Sequence, residues 1–263
     1  MSPLPRVVGM VHLDPLPGSP LFDGSMGKLV ERAVSDANAL ASAGFPSLLV
    51  ENFGDVPFHA DQVPSETVAS MAVAVAAVKG ATGLPVGVNV LRNDAIAALA
   101  VAAATGAEFI RVNVLTGVMY TDQGPIVGRA AEVMRLRSGL GIDTEVWADV
   151  MVKHAVAPAS LDLRQAASDL DVRGLADAVL VSGSGTGREP STDDLRTVRA
   201  AVDKDKPVIL ASGASPENLA GFMEMADGVI VGSYLKFEGD ARRPVDPARA
   251  IRFIQIAHDL GLC

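Results

Sequence analysis

Acidic, basic and imidazole side chains recur directly after short apolar runs in this chain. His12 and Asp14 follow Val7–Val11, Glu51 follows Leu48–Val50, and Asn89 and Arg92 follow Val86–Val88. Arg111 and Asn113 sit in Phe109–Val114, and Asp149 and Lys153 follow Val146–Ala148. Glu51, Asp149, Asp14 and His12 are the residue types that general acid–base catalysis uses, once their surroundings set their pKa values apart. Glu51 lies against Leu48, Leu49 and Val50, and burial there would raise its pKa. Its alternative use is an ion pair with Arg92 or Arg111. Arg111 and Asn113 are two residues apart, so on a strand they share a face and either bind an anion or neutralise an acid. Asn89, Arg92, Arg111, Asn113 and Lys153 are therefore expected to contact a substrate. Lys153 could also form a Schiff base, but it lies beyond the expected strand, where solvation would leave its pKa high.

Three later turns suit an anion. Gly183-Ser184-Gly185-Thr186-Gly187, Ser212-Gly213-Ala214-Ser215 and Gly232-Ser233 each follow an apolar run. Glycines let backbone N–H groups approach a phosphate closely, and serine hydroxyls add donors. Ser184, Gly213, Ala214, Gly232 and Ser233 are the expected phosphate contacts. The plainer use of these glycines is to make tight turns. The Gly183–Gly187 stretch lacks the full dinucleotide fingerprint, and no Walker A sequence is present.

A metal set of His12, Asp14, Glu51 and His154 is conceivable, but no HxH or HExxH spacing supports it. The reading therefore assigns no metal and no cofactor, and keeps a metal-dependent hydrolase as a lesser alternative. His59 and His258 are expected on the surface or on helices. Trp147 is expected either in a barrel lumen or in ordinary packing.

These residues need a frame that returns every strand end to one place. Eight alternations of an apolar run with an Ala/Leu-rich amphipathic stretch supply it. Strands are expected at 7–12, 47–51, 86–90, 109–114, 144–150, 178–181, 208–211 and 228–231. Helices are expected at 26–43, from Ser65, from Asp94, at about 126–138 and at about 161–173. Three more should follow Ser191, Ser215-Pro216 and Asp246-Pro247. Gly44 reads as a helix C-cap. The pattern predicts an α/β chain folded as a single (β/α)8 TIM barrel over residues 1–263, with its chemistry at the C-terminal mouth. An open doubly wound sheet would need fewer units.

The formal net charge is −9, which argues against nucleic acid and anionic membranes as partners. It leaves room for a small phosphorylated molecule in a locally cationic pocket. The one cysteine, Cys263, allows no internal disulfide, which suits a reducing cytoplasm. No secretory signal is expected near Met1–Pro20, and the apolar stretch at 68–78 is too short to span a bilayer. A homo-oligomer paired through outer helices is compatible with this composition, although no seam is legible.

Gly9-Met10-Val11-His12-Leu13-Asp14-Pro15-Leu16-Pro17-Gly18 resembles the opening motif of the BtpA/SgcQ family. Gly87–Asp94, Phe109–Val114, Thr121–Gly124, Ala148–Ala155, Asp227–Lys236 and Pro244–Asp246 are similar to further stretches of it. The chain departs from the expected pattern at Ser182, where a threonine is expected, and at Ala211. The resemblance implies a barrel akin to the ribulose-phosphate-binding barrels. It also implies a link with photosystem I biogenesis for the namesake and sugar-metabolism settings for other members.

Two functions follow. One is an isomerase or lyase that moves protons on a small phosphorylated, sugar-like or heterocyclic substrate. The other is a non-catalytic assembly factor built on an enzyme-like barrel.

Overall fold

The computed structural model describes residues 5–183 and 190–262, so Ser184 and the rest of its glycine turn lie outside the described residues, as does Cys263. Eight parallel strands close a barrel. They are β1 (Val7–His12), β2 (Ser47–Glu51), β3 (Val86–Asn89), β4 (Phe109–Val112), β7 (Glu145–Val150), β8 (Ala178–Val181), β9 (Val208–Leu210) and β10 (Gly228–Val231). They lie in chain order, and β10 closes onto β1 through the pairing of Gly9 with Val231. Helices α1 (Met26–Ala43), α2 (Ser65–Thr82), α3 (Ala95–Thr105), α4 (Ala130–Leu140), α5 (Leu163–Ser168), α6 (Thr192–Arg199), α7 (Leu219–Met223) and α8 (Pro247–Asp259) connect them.

The strands are rich in Val, Ile and Leu because both faces are covered. One face packs against the helices, with Val50, Val88 and Val179 facing Leu40, Val75 and Leu195 in one continuous apolar layer. The other face fills the lumen with Val8, Leu49, Phe109, Trp147, Leu180 and Ile230. Phe109 and Trp147 stack there with ring centroids 4.2 Å apart, and Trp147 Nε1 donates to Glu145. Trp147 is thus lumenal packing. Gly87 makes room for this stack, since a Cβ at residue 87 would lie 2.2 Å from Phe109 Cε2.

Local signals set the helix ends. Ser25, Asp94 and Asp246 each accept a first-turn N–H, and Gly44 and Gly106 take the left-handed conformation at C-caps. Ser65, whose type suits an N-cap, is instead the first residue of α2, with Pro64 as its cap.

Two expected helices differ. Residues 118–127 form an antiparallel hairpin of β5 (Val118–Thr121) and β6 (Gly124–Val127), so α4 begins only at Ala130. Gly124 there has φ +96°, which a glycine adopts at little cost, and Pro125 sits on a two-stranded edge, where its missing N–H is harmless. After β9, Ser215 N–H donates to the Asn218 side chain, and this turn delays α7 to Leu219. The expected fifth helix continues as a π-turn over Asp169–Arg173. No helix among the described residues is long and apolar enough to cross a membrane.

Candidate active site

The C-terminal ends of the strands open into two cavities that share Lys153. One, of about 250 Å³, lies under the turns after β9 and β10 and is lined by His12, Arg111, Gly213, Ala214, Gly232 and Ser233. The other, of about 710 Å³, lies over β2 and β3, with Glu51, Phe53, Phe58, Leu91, Arg92 and Asn113 among its walls.

In the smaller cavity the backbone N–H groups of Gly213, Ala214, Ser233 and Tyr234 find no acceptor among the described residues. Gly213, which lines this cavity, holds φ +73°, a conformation that glycine adopts at little cost. Unpaired main-chain donors converging on a hollow form an anion-binding nest. Gly232 lies against His12, and a Cβ there would meet His12 Cε1 at 3.3 Å.

His12 ends β1 and lines the smaller cavity, next to Glu51 of the larger one. Its Nδ1 lies 2.9 Å from the Ala241 carbonyl oxygen, which can only accept, so Nδ1 carries the proton. Nε2 then presents its lone pair to the mouth, 3.8 Å from Glu51 Oε1. Burial, reinforced by the positive charge of Lys236, holds the imidazole well below its ordinary pKa despite the opposing Ala241 bond. The ring also stacks on Phe53, with centroids 4.5 Å apart. Glu51 is 3% exposed and makes no ion pair with Arg92 or Arg111.

Arg111 pairs instead with Asp149. Its Nε donates to Oδ2 at 2.9 Å and its Nη2 to Oδ1 at 3.0 Å, while the Ser182 hydroxyl donates to Oδ1 at 2.7 Å. Burial lowers the affinity of Arg111 for its proton, but the Asp149 carboxylate outweighs it and the guanidinium ends above its ordinary value. Asp149 lines neither cavity, and both its oxygens are committed. Asp149, and not the Glu51 weighed from sequence, is thus the acid that holds Arg111 in place.

Lys153 corrects a second expectation. Burial, then the nearby Arg111 charge, pushes its ammonium below the ordinary lysine range, against the pull of Glu51 and Asp149. The segment beyond β7 folds back through a bridge between Tyr120 and Val156, and this brings residue 153 into the mouth. Asn89 donates to the Arg111 carbonyl and to Asn113 Oδ1, while its own Oδ1 is buried without a partner. Asp14 lines neither cavity and acts on Lys236 from beyond the strand. Sequence reasoning missed Asp36, on the inner face of α1. It accepts from Lys236 Nζ at 3.0 Å and from Val245 N at 2.8 Å, both fully inside the protein. No group of three or more His, Cys, Asp or Glu among the described residues could hold a metal ion.

Residues 5–259 match the BtpA family. The chain belongs to that family. This BtpA-family barrel is 48% identical to an uncharacterized protein of Thermococcus kodakarensis, over 97% of this chain and 95% of that one. It is 45% identical to the photosystem I biogenesis protein BtpA of Synechocystis, over 95% of this chain and 86% of the relative. Among solved structures it is similar to a thiamine phosphate pyrophosphorylase from Pyrococcus furiosus, with a TM-score of 0.61 at 12% identity, covering 98% of both chains. It is also similar to N-(5'-phosphoribosyl)anthranilate isomerase from the same organism, with a TM-score of 0.56 at 15% identity, covering 97% of this chain and 99% of that one. At such identities the likeness establishes a shared TIM-barrel fold. The named activities of these structural neighbours concern phosphorylated substrates, whereas the BtpA-family relatives carry no named reaction.

Proposed function

We propose that this BtpA-family protein is an enzyme that binds a small phosphorylated molecule, sugar-like or heterocyclic, and moves a proton on it in an isomerisation or a C–C or C–N cleavage. One observation carries the reading: four residues lining a cavity, Gly213, Ala214, Ser233 and Tyr234, have backbone N–H groups with no acceptor among the described residues, and His12, its pKa held well below the ordinary value, lines the same cavity. The phosphate would rest on Gly213, Ala214, Gly232 and Ser233. Glu51 and His12 Nε2 would accept and return the proton. Lys153, with its lowered pKa, would donate to a developing oxyanion or enolate, and Arg111, held by Asp149, would stabilise that charge. Asn89 and Asn113 would set the position of the substrate.

The test is a thermal-shift screen of phosphorylated sugars and heterocycles, with inorganic phosphate as a control. A ligand at 100 times its Kd adds about 2.7 kcal/mol of stability. The reading expects such a shift, its loss in Gly232→Asp, and retained binding without turnover in Glu51→Gln.

The name of the Synechocystis relative favours a second reading, an assembly factor on the same barrel. In that case the pocket variants leave partner function intact, and loop variants in 15–25 and 52–64 abolish it.

A further inference from the structure

Arg92 is a buried guanidinium at the mouth of the barrel. It is 5% exposed, yet among the described residues no carboxylate forms an ion pair with it. Its one side-chain hydrogen bond runs from Nη2 to the Lys153 carbonyl, at 2.6 Å. Of the other cations nearby, Arg111 is matched by Asp149, Lys236 by Asp36 and Arg242 by Asp240, while Lys153, with its lowered pKa, makes no ion pair among the described residues. Burial lowers the Arg92 pKa, and the charges of Asp149, Glu51 and Asp122, none of them in an ion pair with it, oppose that effect. A guanidinium has a planar fork of donors suited to a carboxylate, and leaving it buried without an anion is costly.

Its surroundings say what else the anion is attached to. Arg92 lines the larger cavity together with Phe53, Phe58, Val56 and Leu91, and Lys153 connects that space to the N–H nest of the smaller one. Arg92 is fixed from behind, because its own N–H donates to the His59 carbonyl and Asp94, two residues on, caps α3.

We infer that Arg92 is a second anion site, and that the substrate is a phosphate monoester whose apolar body carries a carboxylate at the end remote from the phosphate. The phosphate half of this statement rests on the function proposed above, while the carboxylate half stands on Arg92. The apolar walls take the body, the N–H nest takes the phosphate, and the guanidinium takes the carboxylate.

Calorimetric titration of the whole chain with five probes tests this: inorganic phosphate, phenyl phosphate, 3-carboxyphenyl phosphate, 4-carboxyphenyl phosphate and benzoate. At least one carboxyphenyl phosphate should bind tenfold or more tighter than phenyl phosphate. Arg92→Gln should remove that gain, so that carboxyphenyl and phenyl phosphates bind the variant equally. Arg92→Lys, which keeps the charge but not the fork, should keep only part of it. Equal binding of phenyl and both carboxyphenyl phosphates by the wild type overturns the inference without recourse to any variant. So does a gain that survives in a folded Arg92→Gln. If no phosphorylated probe binds but benzoate binds in an Arg92-dependent way, the phosphate reading falls and the carboxylate site stands. If benzoate fails too, both fall.

Discussion

The imidazole of His12, on the first barrel strand, is held by the carbonyl of Ala241, 2.9 Å from Nδ1 and 229 residues further along the chain. The contact decides which ring nitrogen keeps the proton, and so leaves Nε2 as a base facing the cavities. Nitrogen-15 NMR should show a neutral His12 at pH 7, protonated on Nδ1, with a titration midpoint below the ordinary value of 6.5. The unfolded chain binds this proton more readily than the folded one. Stability should therefore be full above about pH 6.5 and fall as the pH drops from there towards the depressed folded value. His12→Gln should flatten that part of the curve. A midpoint at or above the ordinary value would contradict the geometry.

Asp36 and Lys236 form an ion pair that is 3% and 0% exposed as side chains. It clamps the segment that carries Ala241, because Asp36 also accepts from Val245 at the far end of the same segment. Removing one partner strands the other inside the protein. Lys236→Met should cost about 3–5 kcal/mol in denaturant unfolding, and Asp36→Leu combined with Lys236→Met should cost less than the two single changes added together.

The two ends of the Arg111–Asp149 bridge should behave unequally towards small changes around them. Asp149→Ala leaves a buried guanidinium uncompensated, and a loss of about 3–5 kcal/mol is expected. Ser182→Ala removes only one hydroxyl that supports Asp149 Oδ1, so about 1 kcal/mol is expected. Equal effects from both would mean that Ser182 is part of the charge balance itself.

Gly87→Ala tests the floor of the barrel. The added methyl would have to displace Phe109, which is itself held against Trp147. Overpacking of this kind costs about 1–3 kcal/mol or more. The smaller Phe109→Leu in the same chain should return part of the loss, and the fluorescence of Trp147, the one tryptophan, should report the disturbed stack.

Strands were the most legible part of this chain. β1, β2, β8 and β10 begin and end where their apolar runs do, since burial on both faces leaves no alternation to misread. Residues 116–125 read as a Gly/Asp/Pro-rich loop before a helix from about Ile126, whereas 118–127 form a hairpin. What decides it is the left-handed Gly124 and the pairing of Tyr120 with Pro125. At the mouth, Glu51, His12 and Arg111 were legible from their places at strand ends. Lys153 was misjudged because its burial comes from a distant bridge rather than from its neighbours in sequence. Asp36 reads as one more polar residue on a helix, and nothing local reveals a lysine 200 positions away.

The closure of β1 onto β10 also bears on how the chain acquires its function during synthesis. Half of the proposed anion nest, and the carbonyl that orients His12, belong to the final eighth of the barrel. A nascent chain of seven strands would therefore have His12 without its orienting contact and a cradle missing Ser233 and Tyr234. Contacts of such long sequence separation form late and slowly. Ligand can thus reward only finished barrels, and a truncated or stalled product would gain nothing from it. The first strand waits for the last with its edge unpaired, and in that interval a chaperone has the most to protect.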